Sequence, residues 1–303
     1  MVNRTIKKSI LSACFQGKII LLIGARQVGK TTLLREIIKE VNCPSIWLNA
    51  DEEDILAAFE SAGTSTQLLQ LIGNQTKLVV IDEAQQIMNI GKKLKLLHDT
   101  YPDIQIIATG SSAFDLQSNA AEPLTGRKIS FYLYPLSFQE MVENKSLLET
   151  KRLLETRLIY GSYPEVVNNP GKEKEILIEI AQSYLYKDIL KLDNVRKPSH
   201  LDKLLKALAF QLGNEVNYHE LAKTIGNIDT VTVEKYLDLL EKTYVIFKLP
   251  AFNRNLRTEI KKGKKYYFYD NGIRNVLISN FTNLDFRLDK GALWENYLIS
   301  ERL

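Results

Sequence analysis

The stretch "KIILLIGARQVGKTTLLREIIKEV", residues 18 to 41, restricts the fold more than any other part of this 303-residue chain. Gly24, Gly29, Lys30 and Thr31 have the spacing G-x-x-x-x-G-K-[ST] of a phosphate-binding loop. The run before Gly24 is continuously apolar, which predicts a short strand buried on both faces and therefore a parallel sheet. After Lys30, Leu33, Leu34, Ile37, Ile38 and Val41 recur at helical spacing. Strand, loop and helix in that order predict an α/β, three-layer core.

The glycines have a physical role. Backbone N–H groups must wrap around phosphate oxygens at a helix N-terminus, and a Cβ at those points would obstruct the turn. Gly24, Ala25, Arg26, Gln27, Val28, Gly29, Lys30, Thr31 and Thr32 are the candidate nucleotide-binding residues. Lys30 is expected to neutralise charge on the β and γ phosphates, and the Thr31 hydroxyl to ligate Mg²⁺.

"KLVVIDEAQQI" supplies the next element, an apolar strand from Leu78 to Ile81 closed by Asp82 and Glu83. An acid at a strand's C-terminal end can hold the Mg²⁺ shell, and a second carboxylate beside it can orient and deprotonate an attacking water. Asp82 is assigned to the metal and Glu83 to the general base. A further strand, Ile104 to Thr109, runs into "GSSAF", where Thr109 or Ser111 could contact the γ-phosphate and the water, or could be ordinary strand-end residues. Arg127, in "LTGRK", is a candidate finger for charge developing on the transferred phosphoryl group; the alternative is a surface ion pair. Ser137 to Glu140 fits a capping box. The guanine-reading Asn-Lys-x-Asp is missing, since Asn144-Lys145 is followed by Ser146 and Leu147.

Composition bears on the environment and on the second half. Two cysteines, Cys14 and Cys43, form no disulfide framework, and no apolar run approaches a bilayer span, which predicts a cytoplasmic chain with no membrane partner. The three histidines stand far apart, so no metal site beyond nucleotide-bound Mg²⁺ is expected. Residues 1 to 150 carry 15 Lys+Arg against 16 Asp+Glu, and the remainder 25 against 20, so the positive excess lies in the second half.

There, Thr150 to Tyr160 reads as one helix stopping at Gly161, and a long helix is expected across "KEKEILIEIAQSYLYKDIL". Residues 199 to 270 read as three helices and a hairpin, the layout of a winged helix. Its third helix offers Glu234, Lys235, Asp238, Glu241 and Lys242, a poor set for reading base edges. Arg254, Arg257, Lys261, Lys262, Lys264 and Lys265 gather in the wing, where they could bind a DNA backbone without reading sequence, or simply be solvated.

"GARQVGKTT", "VVIDEAQ", "ATGSS", "LTGR" followed by "YPLSFQE", and "YGSYPEVV" resemble, in order and spacing, a group of uncharacterised prokaryotic AAA+ superfamily ATPases. Those proteins join a P-loop core to a winged helix and a C-terminal domain resembling restriction endonucleases. Ala25 departs from the Pro of many relatives, which changes loop stiffness more than chemistry. The resemblance implies ATP rather than GTP, Mg²⁺ as cofactor, Arg127 as the Arg of a Gly-Arg motif, and the Thr109 strand lying between the loop strand and the Asp82 strand. It further implies a core over 1–145, a helical lid or linker over 146–198, a winged helix over 199–270, and over 271–303, with Glu295 on its first helix, the start of a truncated C-terminal domain. The expected function is ATP hydrolysis coupled to the winged helix; the alternative is an ATP-switched DNA-binding regulator. A homo-oligomer or a protein partner is a further expectation.

Overall fold

A computed structural model describes residues 2–111, 124–183, 198–250 and 264–303. The chain divides into two compact units, Asn3–Tyr134 and Met1–Val2 with Pro135–Leu303.

In the first unit the order is α1 (Ile6–Ala13), β1 (Ile19–Ile23), α2 (Lys30–Val41), β2 (Ser45–Asn49), α3 (Glu53–Ser61), α4 (Ser65–Ile72), β3 (Leu78–Asp82), α5 (Ile90–Thr100), β4 (Gln105–Gly110) and β5 (Lys128–Tyr132). The strands form one parallel sheet in the order β2-β3-β4-β1-β5. Every residue of β1, β3 and β4 is buried, which is why each carries a continuous apolar stretch, Ile19–Ile23, Leu78–Ile81 and Ile106–Ala108. The Thr109 strand does lie between the loop strand and the Asp82 strand. β2 carries no clear signal in the sequence, because it is an edge strand with only Leu48 buried. Helices α2 and α5 fill their buried faces with Leu33, Leu34 and Ile37, and with Ile90, Leu94 and Leu97. α4 begins at a capping box between Thr64 and Gln67. Because the strands are parallel, the ends of β1, β3 and β4 meet at one side of the sheet, where α/β folds bind ligands.

The second unit is mostly helical: α6 (Phe138–Asn144), α7 (Leu147–Arg152), α8 (Leu154–Tyr160), α9 (Pro164–Asn168), α10 (Glu173–Ile180), α11 (Pro198–Phe210), α12 (Tyr218–Gly226), α13 (Thr230–Lys242), α14 (Asn271–Leu277) and α15 (Lys290–Ser300). Strands β6 (Glu215–Val216), β7 (Ile246–Leu249) and β8 (Lys264–Phe268) form an antiparallel sheet in the order β6-β8-β7. The capping box of Ser137 and Glu140 starts α6. The segment expected to be one helix from Thr150 is two, α7 and α8, meeting at Leu153 (ψ −1°). A seam between helices is invisible to periodicity when both sides keep the same apolar phase. Of the long helix expected after Lys172, α10 is the described part and residues 184–197 lie outside the described residues.

Two buried side chains tie this unit together. Asn296 on α15 accepts from the N–H of Phe268 (2.8 Å) and donates to the Phe268 carbonyl (3.0 Å), taking the place of a neighbouring strand beside β8. Asp270 caps α14 by accepting from Ile273 N–H (3.1 Å) and also accepts from Ser162 N–H (2.6 Å). Gly161 has φ +72°, and a Cβ there would lie 1.9 Å from Asp270 Oδ1, so both backbone and space require glycine. Segment 271–303 therefore belongs to the same compact unit as 135–250, with α15 packed on β8. Glu295, on that helix, accepts from Tyr267 Oη (2.7 Å) and pairs with Lys265 (3.2 Å).

Candidate nucleotide-binding site

The loop between β1 and α2 is built from unusual backbone. Gly29 has φ +96° and Gln27 φ +60°, and a Cβ on Gly24 would lie 2.1 Å from the Leu133 carbonyl oxygen. Within the loop, Ala25 and Val28 are buried. Arg4, ahead of α1, braces it from outside by donating to the carbonyls of Val28 (2.8 Å) and Tyr134. No motif marks Arg4, because its role depends on two carbonyls far away in sequence.

Lys30 is 5% exposed and donates to the carbonyls of Gly24 (2.8 Å) and Ala25 (2.9 Å), so its charge sits at the mouth of the loop. Thr31, one residue into α2, donates its hydroxyl to Asp82 Oδ2 (3.0 Å). Thr109, fully buried at the end of β4, donates to Asp82 Oδ1 and accepts from the Glu83 N–H (3.0 Å). The two strand ends and the helix start thus converge on one carboxylate. Of the two candidates near this strand end, Thr109 is the one that touches Asp82.

Glu83 follows β3 with φ +51° and ψ +41°. A β-carbon in this left-handed region costs on the order of 1 kcal/mol or more, and such outliers cluster at functional sites. The conformation turns the chain out of the sheet, and Gln85 then hydrogen-bonds through Nε2 to Glu83 Oε2 and to Ser111 Oγ (3.1 Å). Among the described residues, Gln85 Oε1 is buried without a hydrogen-bond partner. No motif marks Gln85, and its position two residues past Glu83 is the one signal the sequence offers.

The arrangement leaves Arg127 elsewhere. The Arg127 carbonyl accepts from Ile19 N–H (2.8 Å), level with the start of β1, whereas the loop follows its end. Four strand residues separate the two levels, on the order of 13 Å. The guanidinium instead pairs with Asp99 at 2.7 Å, about one third exposed, and holds that carboxyl below its ordinary range. Within its own chain Arg127 is not brought to Lys30, Asp82 and Glu83, because it lies at the opposite end of the strands.

Of the basic wing, Arg254, Arg257, Lys261 and Lys262 lie outside the described residues. Lys264 stacks over Tyr218 (5.6 Å to the ring centroid) and Lys265 pairs with Glu295 (3.2 Å). On α13, Lys242 pairs with Asp238 at 2.6 Å and Glu241 with Lys248 at 3.7 Å. Among the described residues, no helix is long and apolar enough to cross a membrane.

Comparison with known proteins agrees with this architecture. A family model described as an AAA domain matches residues 16–142, and a second, Domain of unknown function (DUF8612), matches residues 151–284. An uncharacterized protein of Haemophilus influenzae is 30% identical over 297 residues, covering 91% of this chain and 70% of the relative. An uncharacterized protein of Methanocaldococcus jannaschii is 26% identical, covering 99% of this chain and 69% of the relative. An uncharacterized protein of Mycobacterium tuberculosis is 26% identical, and there the chain spans 63% of the relative's length. Among solved structures, the Walker-type ATPase PABY2304 of Pyrococcus abyssi shares the fold, with TM-score 0.60 and 19% identity over 92% of this chain and 96% of that one.

Proposed function

The chain belongs to a family of uncharacterized P-loop ATPases built on an AAA domain, and from that premise we propose that it binds ATP with Mg²⁺ and hydrolyses the β–γ bond at the end of the sheet. The observation that carries this reading is the linked set Thr31, Asp82, Thr109 and Glu83: Thr31 and Thr109 donate to the buried Asp82 carboxylate, and the Glu83 N–H donates to the Thr109 hydroxyl.

The donor set fits the cation. A hydroxyl and a carboxylate oxygen 3.0 Å apart are hard oxygen ligands of the kind Mg²⁺ accepts alongside phosphate oxygens and water. Thr31 and Asp82 would hold the ion, which would supply charge neutralisation on the phosphates. The loop from Gly24 to Thr32 presents its N–H groups at the start of α2, where anions are favoured, and Lys30 adds a positive charge. Glu83 orients and deprotonates the attacking water; Gln85 fixes the Glu83 carboxylate, and Thr109 fixes its backbone.

Arg127 acts, in this proposal, on a site of a second copy of the chain. Its partly exposed position, at the end of the strands opposite the loop, supports a role in trans and opposes one in cis. We further read α11, α12, α13 and the β7–β8 pair as a winged helix whose movement hydrolysis drives. A cytoplasmic ATP supply suits this activity.

Glu83→Gln tests the assignment directly. ATP binding by calorimetry should persist and turnover should fall to background; undiminished hydrolysis would reject Glu83 as the base. Turnover measured with and without duplex DNA separates a motor from a regulator for which ATP is a switch ligand, since only coupling of the two units makes DNA change the rate.

A further inference from the structure

The peptide between Val28 and Gly29 lies where the phosphate loop turns into α2. Gln27 (φ +60°) and Gly29 (φ +96°) are left-handed, and Lys30 opens the right-handed helix. Such an alternation of hand turns successive N–H groups toward one concave side, a form that takes anions. The Gly29 carbonyl accepts from the Leu33 N–H (3.0 Å) in the first turn of α2, whereas the Gly29 N–H has no acceptor among the described residues.

Arg4 holds the other side of that peptide. Its Nη1 donates to the Val28 carbonyl (2.8 Å) and its Nη2 to the Tyr134 carbonyl. Tyr134 is a fixed point, since it follows Leu133, whose N–H donates to the Ile23 carbonyl (2.8 Å) at the end of β1. Two donors of one rigid, planar guanidinium thus refer the loop to the sheet. A trans peptide is planar with its C=O and N–H pointing in opposite directions, and no cis bond occurs among the described residues. Drawing the Val28 carbonyl toward Arg4 therefore turns the Gly29 N–H away from Arg4. Among the described residues no other hydrogen bond fixes this peptide plane.

We propose that Arg4 is a positioning residue for the nucleotide: by holding the Val28–Gly29 peptide plane, it aims the Gly29 N–H at a phosphate oxygen. This role rests on the nucleotide-binding reading of the loop. Charge contributes as well as direction. A guanidinium bonded to the carbonyl polarises the peptide and strengthens its N–H as a donor. A simple tether for α1 would need neither the plane nor its polarisation.

The experiment titrates the full chain with ATP and Mg²⁺, following affinity by calorimetry and the Gly29 amide by ¹⁵N NMR. In the wild type, ATP should move the Gly29 amide proton downfield as it gains a phosphate acceptor. Arg4→Met should weaken ATP binding by about tenfold or more and lose most of that shift, while the amides of Leu34 to Val41 keep their wild-type resonances. Arg4→Lys retains one charged donor and should recover part of both. Should Arg4→Met fail to fold, Arg4→Gln, with a neutral donor on a shorter arm, replaces it with the same expected direction. Wild-type affinity in the Met or Gln variant, or weakened affinity with the full Gly29 shift intact, would overturn the assignment and leave Arg4 a tether for α1. Failure of the wild type to take up ATP would instead reject the nucleotide reading, and the aim of Gly29 with it.

Discussion

Thr109 and Asp82 are joined by a hydrogen bond between the ends of adjacent parallel strands, and the same Thr109 hydroxyl receives the N–H of Glu83 (3.0 Å). One buried side chain thereby sets the orientation of both acidic residues. Thr109→Val is isosteric but removes both bonds, leaving a backbone N–H and a carboxylate oxygen without a partner. The expected loss of stability is about 1–3 kcal/mol, read from urea denaturation, with a larger fractional loss of turnover than of ATP affinity. Thr109→Ser should restore most of both; equal damage from Ser and Val would mean that packing, not the hydroxyl, matters.

Gly24→Ala places a Cβ 2.1 Å from the Leu133 carbonyl oxygen, a backbone atom that cannot step aside. The loop must shift, so ATP binding should weaken at least tenfold by calorimetry. Wild-type affinity in the alanine variant would show that the loop path is not the one binding uses.

Arg127 offers a complementation experiment. Lys30→Ala should remove ATP binding and Arg127→Ala should remove turnover while keeping binding. If Arg127 serves a neighbouring copy, mixing the two inactive variants creates sites with an intact loop from one chain and an arginine from the other, and activity should partly return. No recovery, in a mixture shown by mass measurement to contain mixed oligomers, would defeat the role in trans.

Asp270 gives a pH dependence of known sign. Burial pushes its carboxyl up to about 6, against bonds from the Ser162, Ile273 and Gly272 N–H groups that pull it down. A carboxyl raised in the folded state holds its proton there while the unfolded chain releases it. Its contribution is therefore fully present below about pH 4 and is lost as pH rises to about 6, by about 3 kcal/mol. The stability of wild type relative to Asp270→Asn should fall across that window and level off above it. A flat difference would show that the cap bonds cancel the effect of burial, and a rising one that they outweigh it.

Asn296→Leu keeps volume and deletes the strand-like pairing with Phe268. Two buried backbone groups then lose their partner, which should cost about 2–5 kcal/mol and lower the melting temperature of the second unit. An unchanged melting temperature would mean that water replaces the amide.

Much of the first unit was legible because its central strands are buried on both faces and announce themselves as apolar runs ending in chemistry: Gly24 after β1, Asp82 and Glu83 at β3, Thr109 at β4. The edge strand β2 escaped because an edge needs few apolar residues. In the second unit the helices were readable from their spacing, whereas the break at Leu153 was not, and the roles of Asp270 and Asn296 depend on partners as far as 108 and 28 residues away.

The sequence by itself determined the phosphate loop, the acidic strand end and the parallel core, since each is a local pattern whose physics is carried by neighbours in the chain. Tertiary structure decided that Thr109 rather than Ser111 touches Asp82, that Gln85 holds Glu83, and that Arg127 lies beside Asp99 at the end of the strands opposite the loop. Those facts come from which strand ends and helix starts are brought together, and a direction in space has no counterpart in a linear pattern.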